Sequence, residues 1–480
     1  MKKQAFNPFL PSFEYVPDGE PYVFGERVYV YGSHDRFNGT EYCPNNYVCW
    51  SAPVDDLVNW RYEGVIYQKT QDPMGRTGNR LLFAPDVQQG ADGKYYLYYA
   101  FDFLGVMAVA VCDSPAGKYE FYGHVHYNDG TLLGAREGDG FQFDPGVLVD
   151  DDGKVYLYSG FCPVYIPWEK LGFKEKTIKG GMVVELETDM ITVKEDPKYI
   201  FPDKLRGAGT DFEGHEFFEA SSIRKIGDTY YFVYSSFNGH ELCYATSKSP
   251  IDGFTFRGTI ISNGDIYLNG RTEEEALNYT GNNHGSIVEI NGKWYVFYHR
   301  QTNKHQFSRQ ACAEEIRIES DGSIKQVEMT SCGLNGGPLV GKGEYPAYIA
   351  CNLMSKSGAA RYEFGQEIND SHPYFTQEGE DREDNPNQYI ANMTDGAIAG
   401  FKYFNIEYAS TISVKVRGTG KGELHVSTSI AGRKAAQIPI SRKQEWEVYK
   451  ATIQIDNGVN AIYFTYQGEG SIDFLSFNIE

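Results

Sequence analysis

The sequence predicts an all-β protein: a five-bladed β-propeller followed by a β-sandwich of jelly-roll type. Three observations predict it. A hairpin pattern recurs five times at a spacing of roughly 60 to 75 residues, the scale of a four-stranded propeller blade. An acid or a histidine stands just before the first strand of each copy. After about residue 330 the repeats stop and short alternating strands take over.

Each repeat is an apolar strand, a polar turn suited to positive φ, and a Tyr-rich alternating strand. The copies are PYVFGERVYVYGS (21–33), PDVQQGADGKYYLYYA (85–100), PGVLVDDDGKVYLYSG (145–160), SSIRKIGDTYYFVYSS (221–236) and GSIVEINGKWYVFYHR (285–300). A second strand pair follows most of them, as in YVCWSAPVDDLVNW and HELCYATSKSPIDGF. Composition agrees, because 37 Tyr and 30 Phe bring aromatics to 15%, which favours strands. Ring faces also suit stacking on the apolar face of a sugar. At 480 residues the chain has room for two or three domains of roughly 100 to 200 residues each.

Charge narrows the partners. With 44 Lys and Arg against 65 Asp and Glu the formal net charge is −21, which argues against nucleic acid and for a neutral ligand or a divalent cation. None of the eight cysteines forms a C-x-x-C pair, so they read as reduced thiols rather than a disulfide framework or a zinc site. The start, MKKQAFNPFLPSFEY, has no apolar core of a signal peptide, and no run of 18 apolar residues exists. The expectation is a cytoplasmic chain with no membrane partner.

The residues before the hairpins are Asp18, Asp86, Asp144, Glu219 and His284. In a propeller the innermost strand of each blade lines the central channel, so these five converge on one end of it. Burying like charges together is costly, and folds keep such clusters for function more often than for stability. Two carboxylates, one ionised and one protonated, are the apparatus of glycoside hydrolysis. Glu219, after Phe217 and Phe218, is expected to be the acid, Asp18 the base, and Asp144 the group that tunes the acid by like-charge repulsion. Glu20 stands two residues beyond Asp18 as a rival base.

NPFLP with Asp18, FAPD, FDPGVLVDDDGKVYLY, FFEASSI and NNHGSI together resemble glycoside hydrolase family 43, inverting enzymes with a five-bladed propeller. The resemblance covers about residues 6–330. It implies a catalytic base at Asp18, a pKa-modulating aspartate at Asp144 and a general acid at Glu219. It also implies a calcium ion near His284, held largely through waters; the alternative for His284 is a hydrogen bond to a catalytic carboxylate. One departure stands out: the usual Asp-Pro is Asp18-Gly19-Glu20-Pro21 here. Asp86 is expected to be structural. Arg300, His34, Trp50 and Phe101, at strand ends near the pocket rim, are expected as sugar contacts.

The domain reading is a propeller over 1–330, a Gly-rich linker or wrap-around segment over 331–345 and a sandwich over 346–480. TDGAIAGFKYF and GEGSIDFLSFNIE resemble carbohydrate-binding module family 6, with Trp446 as the lone tryptophan of that region. The insert FCPVYIPWEKLGFKEKTIKG (161–180) is expected to wall one side of the pocket. The expected function is exo-hydrolysis releasing α-L-arabinofuranosyl or β-D-xylosyl units from arabinoxylan-derived oligosaccharides, with no organic cofactor. The alternatives are an endo-acting xylanase or arabinanase, and a non-catalytic sugar-binding propeller.

Overall fold

Five antiparallel sheets follow one another along the first two thirds of the chain. The computed structural model describes residues 4–164, 179–363, 365–383 and 386–480. Blade 1 is β1 Glu20–Phe24, β2 Arg27–Tyr31, β3 Tyr47–Pro53 and β4 Arg61–Tyr67. Blade 2 is β5 Asp86–Gln89, β6 Tyr95–Ala100, β7 Met107–Cys112 and β8 Glu120–His124. Blade 3 is β9 Gly146–Val149, β10 Val155–Ser159, β11 Gly180–Leu186 and β12 Lys198–Pro202. Blade 4 is β13 Phe217–Ile226, β14 Thr229–Ser236, β15 Glu241–Ser247 and β16 Thr255–Ser262. Blade 5 has three strands, β17 Ser286–Ile290, β18 Lys293–Arg300 and β19 Gln310–Ile316.

Turn chemistry sets the hairpins. Between β17 and β18 the two-residue turn is Asn291-Gly292, with φ of 51° and 78°, the left-handed pair that a type I′ hairpin requires. The N-terminal segment covers the open side of blade 5. Phe9 N–H donates to Ala311 O at 3.2 Å, and the Asn7 side chain bonds both Ala313 N and Ala313 O. A parallel bridge between Gly19 and Gly285 joins blade 1 to blade 5 and closes the ring. Gly285 has to be glycine, because a Cβ there would lie 1.8 Å from Phe297 O.

A separate apolar cluster fills each interface between blades. Val28 and Val30 pack with Ile290 and Phe297 between blades 1 and 5, and Phe201 and Phe232 stack at 4.1 Å between blades 3 and 4. Fully burying one such side chain is worth about 1.5–3 kcal/mol, so blade faces hold the ring. Lower in the channel the innermost strands share a polar network. Arg224 donates to Glu20 at 2.7 Å and to Tyr22 OH at 3.0 Å; Tyr22 donates to Asp86 at 2.7 Å. Ser222 and Ser286 bond at 2.6 Å. Asp86 also accepts Val87 N–H and Val147 N–H, which ties blade 2 to blade 3.

The remaining strands are β20 Leu339–Val340, β21 Gly343–Pro346, β22 Asn352–Met354, β23 Tyr374–Gln377, β24 Gln388–Met393, β25 Ile398–Ile406, β26 Thr411–Gly418, β27 Lys421–Ser427, β28 Lys434–Ile440, β29 Lys443–Thr452, β30 Gly458–Glu469 and β31 Ile472–Ile479. They form two six-stranded sheets whose inner faces meet at Phe401, Phe404, Phe464, Phe474 and Phe477. The stretch 331–345, expected as a linker or wrap-around segment, is no free linker and reaches into both sheets: β20 pairs with β25, and β21 begins at Gly343 and pairs with β31. Its glycines hid two short strands, in which Leu339 and Tyr345 are buried and Val340 is exposed. Trp446 lies edge-to-face on Tyr389, with the Arg417 guanidinium 4.2 Å over its ring. Most of the insert expected to wall the pocket, 165–178, lies outside the described residues.

The sandwich is bolted to the propeller by cations. Lys402 of β25 is buried and bonds Asp265 and Glu328 of the propeller, both at 2.9 Å. Removing one partner of a buried pair strands the other, so Lys402→Met is expected to lower stability by about 3 kcal/mol. Denaturant midpoints check this, with Tyr408→Ala, at a side chain 87% exposed, expected to match wild type.

Candidate active site

Strand starts deliver the acids. Asp18 and Asp144 stand two residues before β1 and β9, Glu219 is the third residue of β13, and His284 precedes β17 by two. Asp18 and Asp144 are held in the left-handed region at φ 59° and 45°, a conformation that costs backbone energy and turns each carboxyl away from the strand's pleat. All four line one pocket at the channel mouth with Asn282 and Arg309, and the wall is aromatic: Tyr42, Phe83, Phe103, Phe143, Phe161 and Phe218. Rings touch around the wall, with Phe83–Phe143 and Phe143–Phe161 centroids both 4.9 Å apart.

The electrostatics divide the acids into two kinds. Arg309 Nη1 donates to Asp18 Oδ1 at 2.9 Å. Burial would raise the Asp18 carboxyl, but Arg309, His299 and His284 outweigh it and hold the group well below the usual carboxylate range. Glu219 moves the other way. Close packing of protein around it, reinforced by the charge of Asp18 and opposed by Arg309, pushes it up to about 8. Asp144 also rises, from burial first and then from the charges of Glu219 and Asp18; Ala220 N–H, which it accepts at 3.1 Å, pulls against this. The Asp144–Glu219 pair therefore keeps a proton at neutral pH while Asp18 stays ionised.

Two histidines frame Asp18. His299 Nε2 faces Asn282 O at 2.9 Å, and its Nδ1 lies 3.3 Å from both Asp18 N and Asp18 Oδ1. His284 Nδ1 lies 3.6 Å from Asp144 Oδ2 and 4.0 Å from Asp18 Oδ1. Burial pushes His284 down to about 4, so its ring is neutral. Its Nε2 is buried with no hydrogen-bond partner. That orphaned nitrogen is compatible with a hard cation bound through waters. Among the described residues the metal-like cluster of three is a different one, His215, Glu241 and Cys243. Its Glu241 already accepts bonds from Ser236, Asn238, Thr259 and His215.

The pocket thus gathers Asp18, Asp144, Glu219 and His284, and leaves out the four residues expected as sugar contacts. Arg300 is buried and donates to Tyr348 O, Ala350 O and Gln310, gripping the sandwich. Trp50 is buried in blade 1 and donates to Glu14 at 2.8 Å; His34 bonds Glu14 and Asn46 O. Phe101 packs on Tyr99 in the core between blades 1 and 2. Strand ends were the wrong guide, because neighbours on a strand face opposite ways. His299 points to the pocket and Arg300, one residue on, points to the sandwich. Glu20, the rival base, is bound to Arg224 below the pocket. Sequence reasoning missed Arg309, His299, Tyr42 and the phenylalanine wall. Its signal for the wall was present in FAPD, FDPG and FFE, where Phe83, Phe143 and Phe218 recur beside the acids.

Comparison with known proteins bears on this geometry. The family model for glycosyl hydrolases family 43 matches residues 6–324. The chain is 55% identical over 481 residues to a xylosidase/arabinosidase of Thermoclostridium stercorarium, covering 100% of this chain and 99% of that one. It is 32% identical over 343 residues to a β-xylosidase of Xylanibacter ruminicola, covering 66% and 98%. A solved β-xylosidase/α-arabinofuranosidase from a compost microbial metagenome, in complex with xylotriose and calcium-free, superposes with a TM-score of 0.51 at 27% identity, covering 68% and 98%. An arabinoxylan arabinofuranohydrolase of Bacillus subtilis shares the fold over 98% of this chain and 97% of its own, with a TM-score of 0.51 at 23% identity.

The raised acid has a thermodynamic consequence. Folded Glu219 keeps its proton over a range where the unfolded chain has released it. Its contribution to stability is whole below 4.5 and is lost as the pH rises to about 8. Glu219→Gln removes that loss. Melting temperatures of variant and wild type are expected to be close at acid pH, with the variant pulling ahead toward pH 8; a gap independent of pH would contradict the shift.

Proposed function

The chain belongs to glycosyl hydrolase family 43 and is a glycoside hydrolase of the xylosidase/arabinosidase kind, and from that premise we propose how its pocket works. The reading is an inverting exo-enzyme that releases α-L-arabinofuranosyl or β-D-xylosyl units from arabinoxylan-derived oligosaccharides. The observation that carries it is the split in protonation: one carboxyl held ionised by Arg309 beside two pushed toward the protonated form.

In this reading Asp18 is the general base. It takes a proton from the water that attacks the anomeric carbon. Glu219 is the general acid and gives its proton to the glycosidic oxygen as that C–O bond breaks. The step leaves Asp18 protonated and Glu219 ionised, and exchange with solvent restores both. Asp144 is the modulator: its carboxyl shares the buried site with Glu219, so a second negative charge there is disfavoured and the acid stays loaded. The aromatic wall supplies ring faces for the sugar and lowers the local dielectric, which strengthens these charges. Similarity to enzymes that act on xylosides and arabinosides supports the substrate class.

His284, with its orphaned Nε2, is the residue that would hold a hydrated calcium ion in the channel. Such an ion would supply positive charge to the pocket. Chelation is then expected to lower kcat on 4-nitrophenyl β-D-xyloside, with calcium restoring it; a rate indifferent to both would remove the ion from the account.

Loss of the acid should depend on the leaving group. Glu219→Ala is expected to cost about 10³-fold on xylobiose and far less on the 4-nitrophenyl glycoside, whose leaving group needs no proton. Equal losses would take the acid role from Glu219. Asp18→Asn is expected to cost about 10³-fold or more on both substrates, and near-full activity would take the base role from Asp18.

A further inference from the structure

Residues 378–383, which follow β23 of the sandwich, reach across to blade 1. Asp381 accepts Phe37 N–H at 2.7 Å. Arg382 bonds Glu14, lies 3.0 Å from His34 Nε2 and sits 5.1 Å over the Tyr62 ring. Just before these residues, Gln377 accepts the Tyr15 hydroxyl at 2.6 Å, and Tyr15 stacks on Phe37. Glu14 is a buried propeller carboxylate whose arginine partner comes from the sandwich. Burial would raise it, but His34, Arg382 and Trp50 hold it below its ordinary value.

The segment gripped in this way, 34–38, is the one that orients Arg309. Asp35 lies inside it, fully buried, and accepts Arg309 Nε at 2.8 Å, Nη2 at 3.0 Å and N at 3.0 Å. Asp35 N–H in turn donates to Tyr15 O at 2.9 Å. Ser308, next to Arg309, donates to Arg36 O at 2.9 Å and accepts Asn38 N–H at 3.0 Å. The arginine's remaining terminal nitrogen, Nη1, binds Asp18. One short segment is thus held on one side by the sandwich and on the other by the arginine that ionises the base.

We propose that Asp381 and Arg382 are positioning residues for the catalytic base, acting on Asp18 through the 34–38 segment, Asp35 and Arg309. This rests on the reading of Asp18 as the base. The C-terminal domain is then part of the catalytic unit whether or not it binds sugar. Asp18 is faced by Arg309 from the segment before β19, by His299 of β18, by His284 before β17, and by Asp144 and Glu219 across the pocket. Of these, the brace governs Arg309 alone. Loosening it lets the guanidinium leave Asp18 Oδ1, so the base is misplaced for the chemical step while the pocket still takes up the sugar: kcat falls and KM does not.

The test is the separate measurement of kcat and KM on 4-nitrophenyl β-D-xyloside for full-length wild type, Asp381→Ala, Arg382→Ala and Asp381→Asn. The two alanine variants are expected to lose about tenfold in kcat, with KM staying within about twofold of wild type. Asp381→Asn keeps an acceptor for Phe37 N–H and is expected within about twofold of wild type. A kcat equal to that of wild type, with or without a lower melting temperature, overturns the proposal. So does a loss that is carried by KM with kcat unchanged. If Arg382→Ala fails to fold, Asp381→Ala decides alone. Asp18→Asn separates the two readings: an active Asp18→Asn overturns the base assignment, and an inactive one beside brace variants of unchanged kcat overturns the brace only.

Discussion

The pair between Asp18 and Arg309 is the interaction on which the rest of the site depends. Three carboxyls share one pocket, Asp18 and Asp144 buried and Glu219 half-buried, and they cannot all carry charge there. One arginine, which never gives up its proton, faces Asp18 directly. That placement makes Asp18 the anion and leaves its charge to act on Glu219. The same two atoms therefore create both halves of an acid–base pair. Asp35 completes the arrangement by holding the guanidinium from the other side through two nitrogens, so Arg309 cannot swing across to Glu219. A buried ion pair of this kind is weak evidence for stability. Its value here is that it fixes which acid is ionised.

The ring architecture explains why such a pocket forms. Five innermost strands start at the same end of the channel, so a short side chain at each start meets the others without any long loop. The aromatic wall then excludes water from the charges. The sandwich adds a second constraint. Lys402 and Arg382 carry sandwich charges to propeller acids, while Arg300 carries a propeller charge to sandwich carbonyls. Buried ions crossing in both directions hold the two domains in one register, and the segment behind Arg309 lies at that seam.

Much of this was legible in the chain itself, because repetition carries topology. The five hairpins, and the acids before them, follow from alternation and turn residues that recur at fixed offsets. Asp18, Asp144, Glu219 and His284 were found by position within the repeat. The misreadings share a cause. Arg300, His34, Trp50 and Phe101 were placed by proximity to strand ends, yet one step along a strand turns a side chain to the opposite face, as His299 and Arg300 show. Arg309 lies in a stretch outside the repeated hairpins, TNKHQFSRQ, and nothing local marks it. Only the charge balance of the pocket asks for a cation, and that balance is visible once the acids are together. The strands Leu339–Val340 and Gly343–Pro346 hid in a Gly-rich stretch because their partners lie far along the chain, in β25 and β31.

The central claim is that Arg309 and burial set Asp18 and Glu219 to opposite protonation states in the resting enzyme. Carbon-13 NMR of the side-chain carboxyls, assigned by difference against single Gln and Asn variants, reads both groups directly. The account predicts that Glu219 titrates near pH 8 while Asp18 shows no titration down to the acid limit of the fold, and that Asp18→Asn brings Glu219 down. A Glu219 carboxyl that titrates in the ordinary range near 4.5, with Asp18 intact, would contradict it.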